Sequence, residues 1–355
     1  PYTGFRVCRS VAEESHTGPG DQWFEPYNKI PEGFSGNTGD LSSLAAGLST
    51  RERWTERRTE LRAKWMQIVG TMSGPQPQPA VRLITTDQEP TYTGELMYLQ
   101  VEPDYWEKIY VMLPARRDRS QPVPVVIVPF YDVDTAAGVN LGGRLSTPIG
   151  TRAYGHLAVQ HGMAAVAIRW FGESYGENSS EVVANLKLRH PQVTGMGKWI
   201  WDSKRLLDYM ATRPEFDMKR VGMIGHSLGG KMTLYATAMD DRIRAAVSSE
   251  PGIGLSFSNY EDFWYLGEET RKLPKGTDHH ELLAMIAPRP FLLIGGDSAD
   301  NDKSWYYINS ARTVYSLFEV PKHIGYVNHR SGHSPTPESI HLAMEWLRRF
   351  LRNEK

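Results

Sequence analysis

The run Arg220-Val-Gly-Met-Ile-Gly-His-Ser-Leu-Gly-Gly-Lys231 constrains this chain more than any other stretch. A short apolar strand, Val221 to Ile224, runs straight into Gly225-His-Ser-Leu-Gly229, and a helical stretch from Lys231 to Met239 follows. A serine between a strand and a helix, with a glycine two residues to either side, sits on a sharp and strained turn. Without a Cβ, Gly225 and Gly229 let the flanking chains close up and leave Ser227 at the tip, its Oγ over a cleft. There the next amide, that of Leu228, can donate to a developing oxyanion. The five-residue pattern also arises by chance, as a plain strand-to-helix turn; the strand before it and the helix after it give it weight.

The flanking sequence repeats the alternation. Residues 1–48 are rich in Gly, Ser, Pro and Asn and read as an extended N-terminal arm or the remnant of a preceding domain. Residues 49–79 read as a helix, with Trp54, Leu61, Trp65 and Ile68 at helical spacing, and a stiff Pro-rich linker. From Val81 a three-strand meander begins, followed by the apolar strand Pro122–Val128, the helix Tyr154–His161 and the strand Met163–Trp170. Residues 171–197 are polar and read as a surface excursion that shapes a cleft. Beyond the elbow come strands Ile243–Ser249, Pro290–Gly295 and His323–Asn328, separated by helices, and a final amphipathic helix Pro337–Leu351. Strands alternating with helices imply an α/β-hydrolase fold over residues 80–355: a mostly parallel central sheet, helices on both faces, and an N-terminal extension. The ligand site belongs at the carboxyl ends of the strands.

Composition narrows the function classes. Across 355 residues the formal net charge is −1, with no long basic run, which argues against nucleic-acid binding. No apolar stretch reaches the roughly 20 residues of a membrane span. Cys8 is the single cysteine, so no internal disulfide forms and the compartment stays open. Ten Trp and seventeen Tyr exceed what a core needs, and some can stack on sugar rings from a cleft wall. Trp170, Trp264 and Trp305 are the candidates at strand ends and loops, with rim packing as the alternative for the last two.

A serine hydroxyl needs a base, and in this fold the order is Ser, acid, His. His333, in Arg330-Ser-Gly-His-Ser-Pro-Thr-Pro337 between the last strand and the last helix, is the candidate base. His329 and His226 read as structural. Two acids compete evenly: Asp297, directly after the Pro290–Gly295 strand, and Glu250, at the end of the preceding strand, with Asp300 and Asp302 as close competitors in the loop of Asp297. The second oxyanion donor is expected from the backbone around Phe130 and Tyr131. Lys231, one helical turn beyond Ser227, either faces solvent or enters the cleft to bind substrate.

The segments Trp199–Leu207, Gly225-His-Ser-Leu-Gly-Gly-Lys231, Asp240-Asp-Arg-Ile243, Glu250-Pro-Gly and Asp278-His-His-Glu-Leu-Leu-Ala-Met-Ile-Ala-Pro-Arg-Pro290, with His333, recur in this order in one group. Over residues 80–351 the chain resembles the glucuronoyl esterase family and related bacterial acetyl xylan esterase-like proteins. The resemblance implies a serine esterase acting on a plant or algal polysaccharide without metal or cofactor. It also implies Ser227 as nucleophile, His333 as base, Glu250 as acid and Lys231 as a contact to sugar hydroxyls. Leu228 stands where glucuronoyl esterases typically carry Arg, so removal of methyl or acetyl groups from pectin-like or xylan-like glycans fits equally. Rival readings are a serine peptidase of the prolyl-oligopeptidase type and a silent carbohydrate-binding domain. Tyr2–Arg9 looks like the closing strand of a formylglycine-generating-enzyme-type domain, which would make an upstream domain part of a longer polypeptide.

Overall fold

The computed structural model describes residues 22–44, 50–72, 74, 76, 78–142, 150 and 152–352; the Tyr2–Arg9 resemblance and Cys8 lie outside them. Helix α1 (Arg51–Val69) starts where Thr50 accepts a hydrogen bond from the Arg53 amide. A meander follows, β1 (Val81–Gln88), β2 (Tyr92–Glu102) and β3 (Tyr105–Pro114), then β4 (Val123–Phe130), α2 (Val133–Ala137), α3 (Tyr154–Gln160) and β5 (Ala164–Arg169). Next come α4 (Gly172–Tyr175), α5 (Ser179–Arg189), α6 (Gly195–Met210), β6 (Phe216–His226), α7 (Leu228–Met239) and β7 (Ile243–Ser249). The chain closes with α8 (His280–Ile286), β8 (Phe291–Gly295), α9 (Ser304–Leu317), β9 (Ile324–Asn328) and α10 (Pro337–Leu351).

One sheet of nine strands, in the order β1-β2-β3-β5-β4-β6-β7-β8-β9, forms the spine. The pairs from β1 to β5 are antiparallel and those from β5 through β4 to β9 are parallel. The parallel strands are apolar almost throughout because both faces are covered. One face packs on α1, α6, α7, α8 and α9 through residues such as Trp65, Trp199 and Tyr235. The other packs on α2, α3 and α10 through Tyr154, Trp346 and Leu347. All six parallel strands therefore deliver their carboxyl ends to one edge. Among the described residues no helix is long and apolar enough to cross a membrane.

The N-terminal region departs from the expected extended arm in its described part. Residues 22–27 form a turn of 3-10 helix that buries Phe24 and Tyr27, and the Tyr27 hydroxyl donates to the Leu342 carbonyl of α10 at 3.1 Å. Asn28 bridges to Tyr326 of β9. The excursion at 171–197 departs as well: it holds α4, α5 and the start of α6, with Phe171, Tyr175, Val182 and Leu186 in a small core of their own. Buried ion pairs fasten it to the sheet. Arg169 pairs with Glu107 at 2.9 Å and with Glu173, and the fully buried Lys198 pairs with Glu102 at 3.1 Å and with Asp202.

Two buried histidines at the start of α8 stay neutral, and the first of them packs on helix α1. His279 is stacked on Trp65 with ring centroids 5.5 Å apart. Its Nδ1–H donates to the Ile253 carbonyl at 2.8 Å, which leaves Nε2 to accept from the Tyr235 hydroxyl at 2.8 Å. Next to it, His280 meets the Ser42 hydroxyl at 3.0 Å. Burial pushes His279 down to about 3 and His280 down to about 4, from an ordinary value of 6.5. Between those values and 6.5 the unfolded chain binds protons that the folded one refuses, so their stabilising neutrality is complete above 6.5 and is lost as pH falls toward 4. Urea unfolding at pH 4.5 should therefore show on the order of 2 kcal/mol less stability per histidine than at pH 7, and His280→Asn should flatten that slope.

Candidate active site

The strain at the elbow is visible in the backbone. Ser227 lies at φ 56°, ψ −115°, between the last residue of β6 and the first of α7. A Cβ on Gly225 would lie 2.1 Å from the Gly229 carbonyl oxygen, and one on Gly229 would lie 2.2 Å from that of Pro129. The two glycines let β4, β6 and α7 meet, which brings the backbone of Phe130 and Tyr131 alongside the elbow. The Leu228 amide opens α7 and belongs to its first turn, where amides have no partner inside the helix.

His333 comes from the loop between β9 and α10. Its Nε2 is 3.0 Å from Ser227 Oγ and its Nδ1 is 2.9 Å from Glu250 Oε2. Glu250 follows β7 at φ 49°, and its side chain is completely buried. The loop after β8 closes around that carboxylate: the Gly296 amide donates to Oε1, that of Ala299 to Oε2 at 2.8 Å, and that of Asp300 to Oε1 at 3.4 Å. Of the two acids weighed from sequence, Glu250 alone touches the imidazole. Asp297 turns outward, accepting from Asn328 at 2.6 Å and from Arg330 at 3.3 Å. Asp302 is likewise engaged by Arg330, at 2.7 Å. His226 is packed beneath, its Nδ1 3.0 Å from Ser249 Oγ and its ring 4.7 Å from that of His333. Burial, with the nearby His333 and Arg152, holds it well below the usual imidazole range. His329 donates its amide to the Gly295 carbonyl at 2.9 Å and accepts from the Ser331 amide at Nδ1, 3.2 Å.

Asp300, a competitor for the acid in the sequence, instead braces the loop after Glu250. Its fully buried carboxylate accepts from the amides of Gly252 at 2.6 Å and Ile253 at 2.8 Å and from the Ser304 hydroxyl at 2.9 Å. Burial raises it to about 6, with Glu250 adding to the rise, so its protonation favours the folded state between 6 and 3.8 and opposes the histidine slope there.

Lys231, expected either in solvent or in the cleft, is enclosed. It is 4% exposed, and its ammonium donates to the Pro251 carbonyl and to Ser258 Oγ at 2.9 Å, 4.0 Å from the centre of the Tyr260 ring. Burial lowers it to about 7, against the opposing pull of Asp300 and Asp262. Trp305 is another correction: at 1% exposure it lies edge-on to Tyr326 inside the core, because α9 turns that side toward the sheet. Trp264 is half-buried between Phe263 and Tyr265. Trp170 is half-buried and edge-on to Tyr131, 5.9 Å away. Together with Glu173, Glu177 and Asn178, these two aromatics line a cleft of about 420 Å³ at the ends of β4 and β5. A larger hollow of about 640 Å³ lies between residues 37–41 and the start of α9, and neither it nor the cleft is lined by Ser227, His333 or Glu250. Among the described residues, no group of three or more His, Cys, Asp or Glu is placed to hold a metal ion.

The family model described as "Glucuronyl esterase, fungi" matches residues 186–260, from α5 through the elbow to the Glu250 loop. YtaP of Bacillus subtilis (strain 168), whose hydrolase name is provisional, is 26% identical over 320 residues, covering 83% of this chain and 100% of its own. The 4-O-methyl-glucuronoyl methylesterase 1 of Wolfiporia cocos (strain MD-104) is 26% identical over 200 residues, 45% of this chain and 47% of that one. A solved glucuronoyl esterase from Solibacter usitatus superposes with a TM-score of 0.72 at 17% identity, covering 90% of this chain and 98% of that chain. The chain resembles the glucuronoyl esterases. It is a carboxylic ester hydrolase with the α/β-hydrolase fold. The alignment with the fungal methylesterase spans about half of that protein's length.

The esterase's two loop carboxylates differ in what they support, and that difference is measurable. Asp300→Asn places an NH2 group against one of two buried amides and should cost about 2–3 kcal/mol in urea unfolding. Asp297→Asn, at the surface, should change stability by less than about 0.5 kcal/mol.

Proposed function

We propose that the protein is a serine carbohydrate esterase that hydrolyses a uronate ester on a polysaccharide through an acyl-enzyme, with Ser227, His333 and Glu250 as its triad. The observation that carries this reading is the hydrogen-bonded line Ser227 Oγ, His333 Nε2, His333 Nδ1, Glu250 Oε2, with steps of 3.0 and 2.9 Å. Ser227 Oγ attacks the ester carbonyl while His333 takes its proton, and Glu250 holds the ring in the tautomer that presents a bare Nε2. The tetrahedral oxyanion is held by the Leu228 amide and by an amide of the Phe130–Tyr131 segment. The C–O bond to the alcohol breaks as His333 returns the proton to the leaving oxygen. Water, deprotonated by His333, then attacks the acyl-Ser227 ester, and the uronic acid departs with Ser227 reprotonated.

The substrate class rests on the resemblance and on the cleft. Trp170 and Tyr131 offer ring surface to a sugar beside the oxyanion segment, and Glu173, Glu177 and Asn178 offer polar partners to hydroxyls. The matched segment, residues 186–260, contains the proposed nucleophile and acid together.

Hydrolysis of benzyl glucuronate and of methyl galacturonate, followed beside p-nitrophenyl acetate, tests the proposal. Ser227→Ala should lower kcat by at least about 10⁴-fold, and Glu250→Gln by about 10³- to 10⁴-fold, while Asp297→Asn stays within about twofold of wild type. Turnover of the acetate ester without either uronate ester would shift the assignment to an acetyl esterase. Full activity in Ser227→Ala would remove the acyl-enzyme.

A further inference from the structure

The carboxyl edge of the sheet carries two concavities, and the nucleophile stands between them. In strand order the edge runs β5, β4, β6, β7, β8. Trp170 and Tyr131 of the cleft follow β5 and β4, and Ser227 follows β6. The hollow of about 640 Å³ is lined by Ser256 and Phe257, from the segment after β7, and by Lys303, Tyr306 and Tyr307, after β8. Residues 37–41 form a further wall.

Those walls are fixed by specific contacts. The N-terminal segment is clasped on both sides of residues 37–41. Asn309 Nδ2 donates to the carbonyls of Phe34 at 2.6 Å and Asn37 at 2.8 Å, and Ser42 Oγ donates to that of Gly276 at 3.0 Å. Phe257 lies edge-on to Tyr307, ring centroids 5.8 Å apart. A Cβ on Gly254 would fall 2.6 Å from the Tyr307 hydroxyl, so this wall requires the glycine. Asp278 accepts from the Leu255 amide at 3.2 Å, the His279 amide at 2.7 Å and the Tyr307 hydroxyl at 2.8 Å. Its carboxylate is thus spent on the protein. Lys303 and Asp40 add one exposed charge of each sign, so the lining favours no ion. Half-buried rings at Phe257 and Tyr306, with hydroxyls at Ser256 and Thr277, suit the apolar face and the hydroxyls of a sugar.

We propose that this hollow is a second glycan subsite, which holds sugar residues of the polysaccharide remote from the ester being cleaved. The inference rests on the function proposed above and adds a contact for the same substrate. The segment leaving Glu250 leads directly to it: Gly252 and Ile253 are held by Asp300, Leu255 by Asp278, and Phe257 forms the wall. Phe257 stands seven positions after Glu250, at most about 25 Å along the chain. A glycan of several sugars laid across the edge covers both concavities, whereas benzyl glucuronate, with one sugar, occupies the place at Ser227 alone.

The test compares methyl-esterified glucuronoxylan with benzyl glucuronate in Phe257→Ala and in Lys303→Ala, with unfolding curves for each. Lys303 is exposed, so its variant decides the matter if Phe257→Ala fails to fold. Phe257→Ala should raise KM on the polymer about 3- to 10-fold and Lys303→Ala about 2- to 5-fold, with kcat unchanged, since only uniform binding is lost. Both constants on benzyl glucuronate should stay within about twofold of wild type. An unchanged KM on the polymer would overturn the proposal, and so would an equal rise on both esters, which would place Phe257 at the reacting sugar. Binding is also read without turnover, as retardation of Ser227→Ala in gels containing glucuronoxylan or polygalacturonan. Retardation that Phe257→Ala abolishes supports the subsite even if wild type cleaves neither uronate ester; no retardation by either polymer overturns it. Failure of the underlying function shows up separately, as activity that survives Ser227→Ala.

Discussion

A carboxylate withdrawn from water governs the arrangement of this face. Glu250 has no exposed side-chain surface and a left-handed backbone, two costs that a chain tolerates only where the surroundings fix the residue completely. Three backbone amides and one imidazole satisfy its oxygens, and all four come from loops beyond the ends of β8 and β9. A second buried carboxylate, Asp300, sits beside it and is satisfied in the reverse direction by amides of Glu250's own loop. The two loops thus exchange hydrogen bonds as two strands would, beyond the ends of β7 and β8. Neither carboxylate can be desolvated alone, so the loops order together.

Local chemistry was legible in the sequence where periodicity or sterics decided it. The glycines at 225 and 229 announce the elbow because only a missing Cβ allows the approaches of 2.1 and 2.2 Å found there. Helix α10 follows from its amphipathic period, and α1 from its cap and its tryptophans. The choice between Glu250 and Asp297 was not legible. Both follow strands, and which one meets His333 depends on how the loop after β8 folds back, a contact between residues 46 to 50 positions apart. Helical spacing left Lys231 open between solvent and the cleft, and its cover comes from residues 251–265, which lack a regular period to read. Trp305 illustrates the same limit: its composition suggests a sugar platform, and its helix turns it into the core.

The excursion between β5 and α6 shows how a polar stretch can still form a wall. Val182 and Leu186 are the buried apolar residues of α5, too few to mark it from hydropathy. Its anchorage is electrostatic instead. Glu102, Glu107 and Asp202 are buried beside Lys198 and Arg169; burial opposes the Lys198 charge, and the neighbouring carboxylates of Asp202 and Glu102 outweigh it and hold Lys198 above the usual lysine range. Ion pairs of this kind gain little net stability over apolar packing, but they tolerate few alternative arrangements. They set the position of Trp170 and of the cleft's rim more strictly than a slippery apolar contact would.

The clamp on Glu250 is made of main-chain N–H groups, and main chain is indifferent to which side chains it carries. Residues 297, 298, 301 and 302 can therefore be rewritten, by drift or by selection, while the acid keeps its place. Asp297 and Asp302 already spend themselves on Asn328 and Arg330 at the rim. A loop that holds the reactive machinery by its backbone and displays its side chains to the outside is a place where substrate preference can diverge without the chemistry being put at risk.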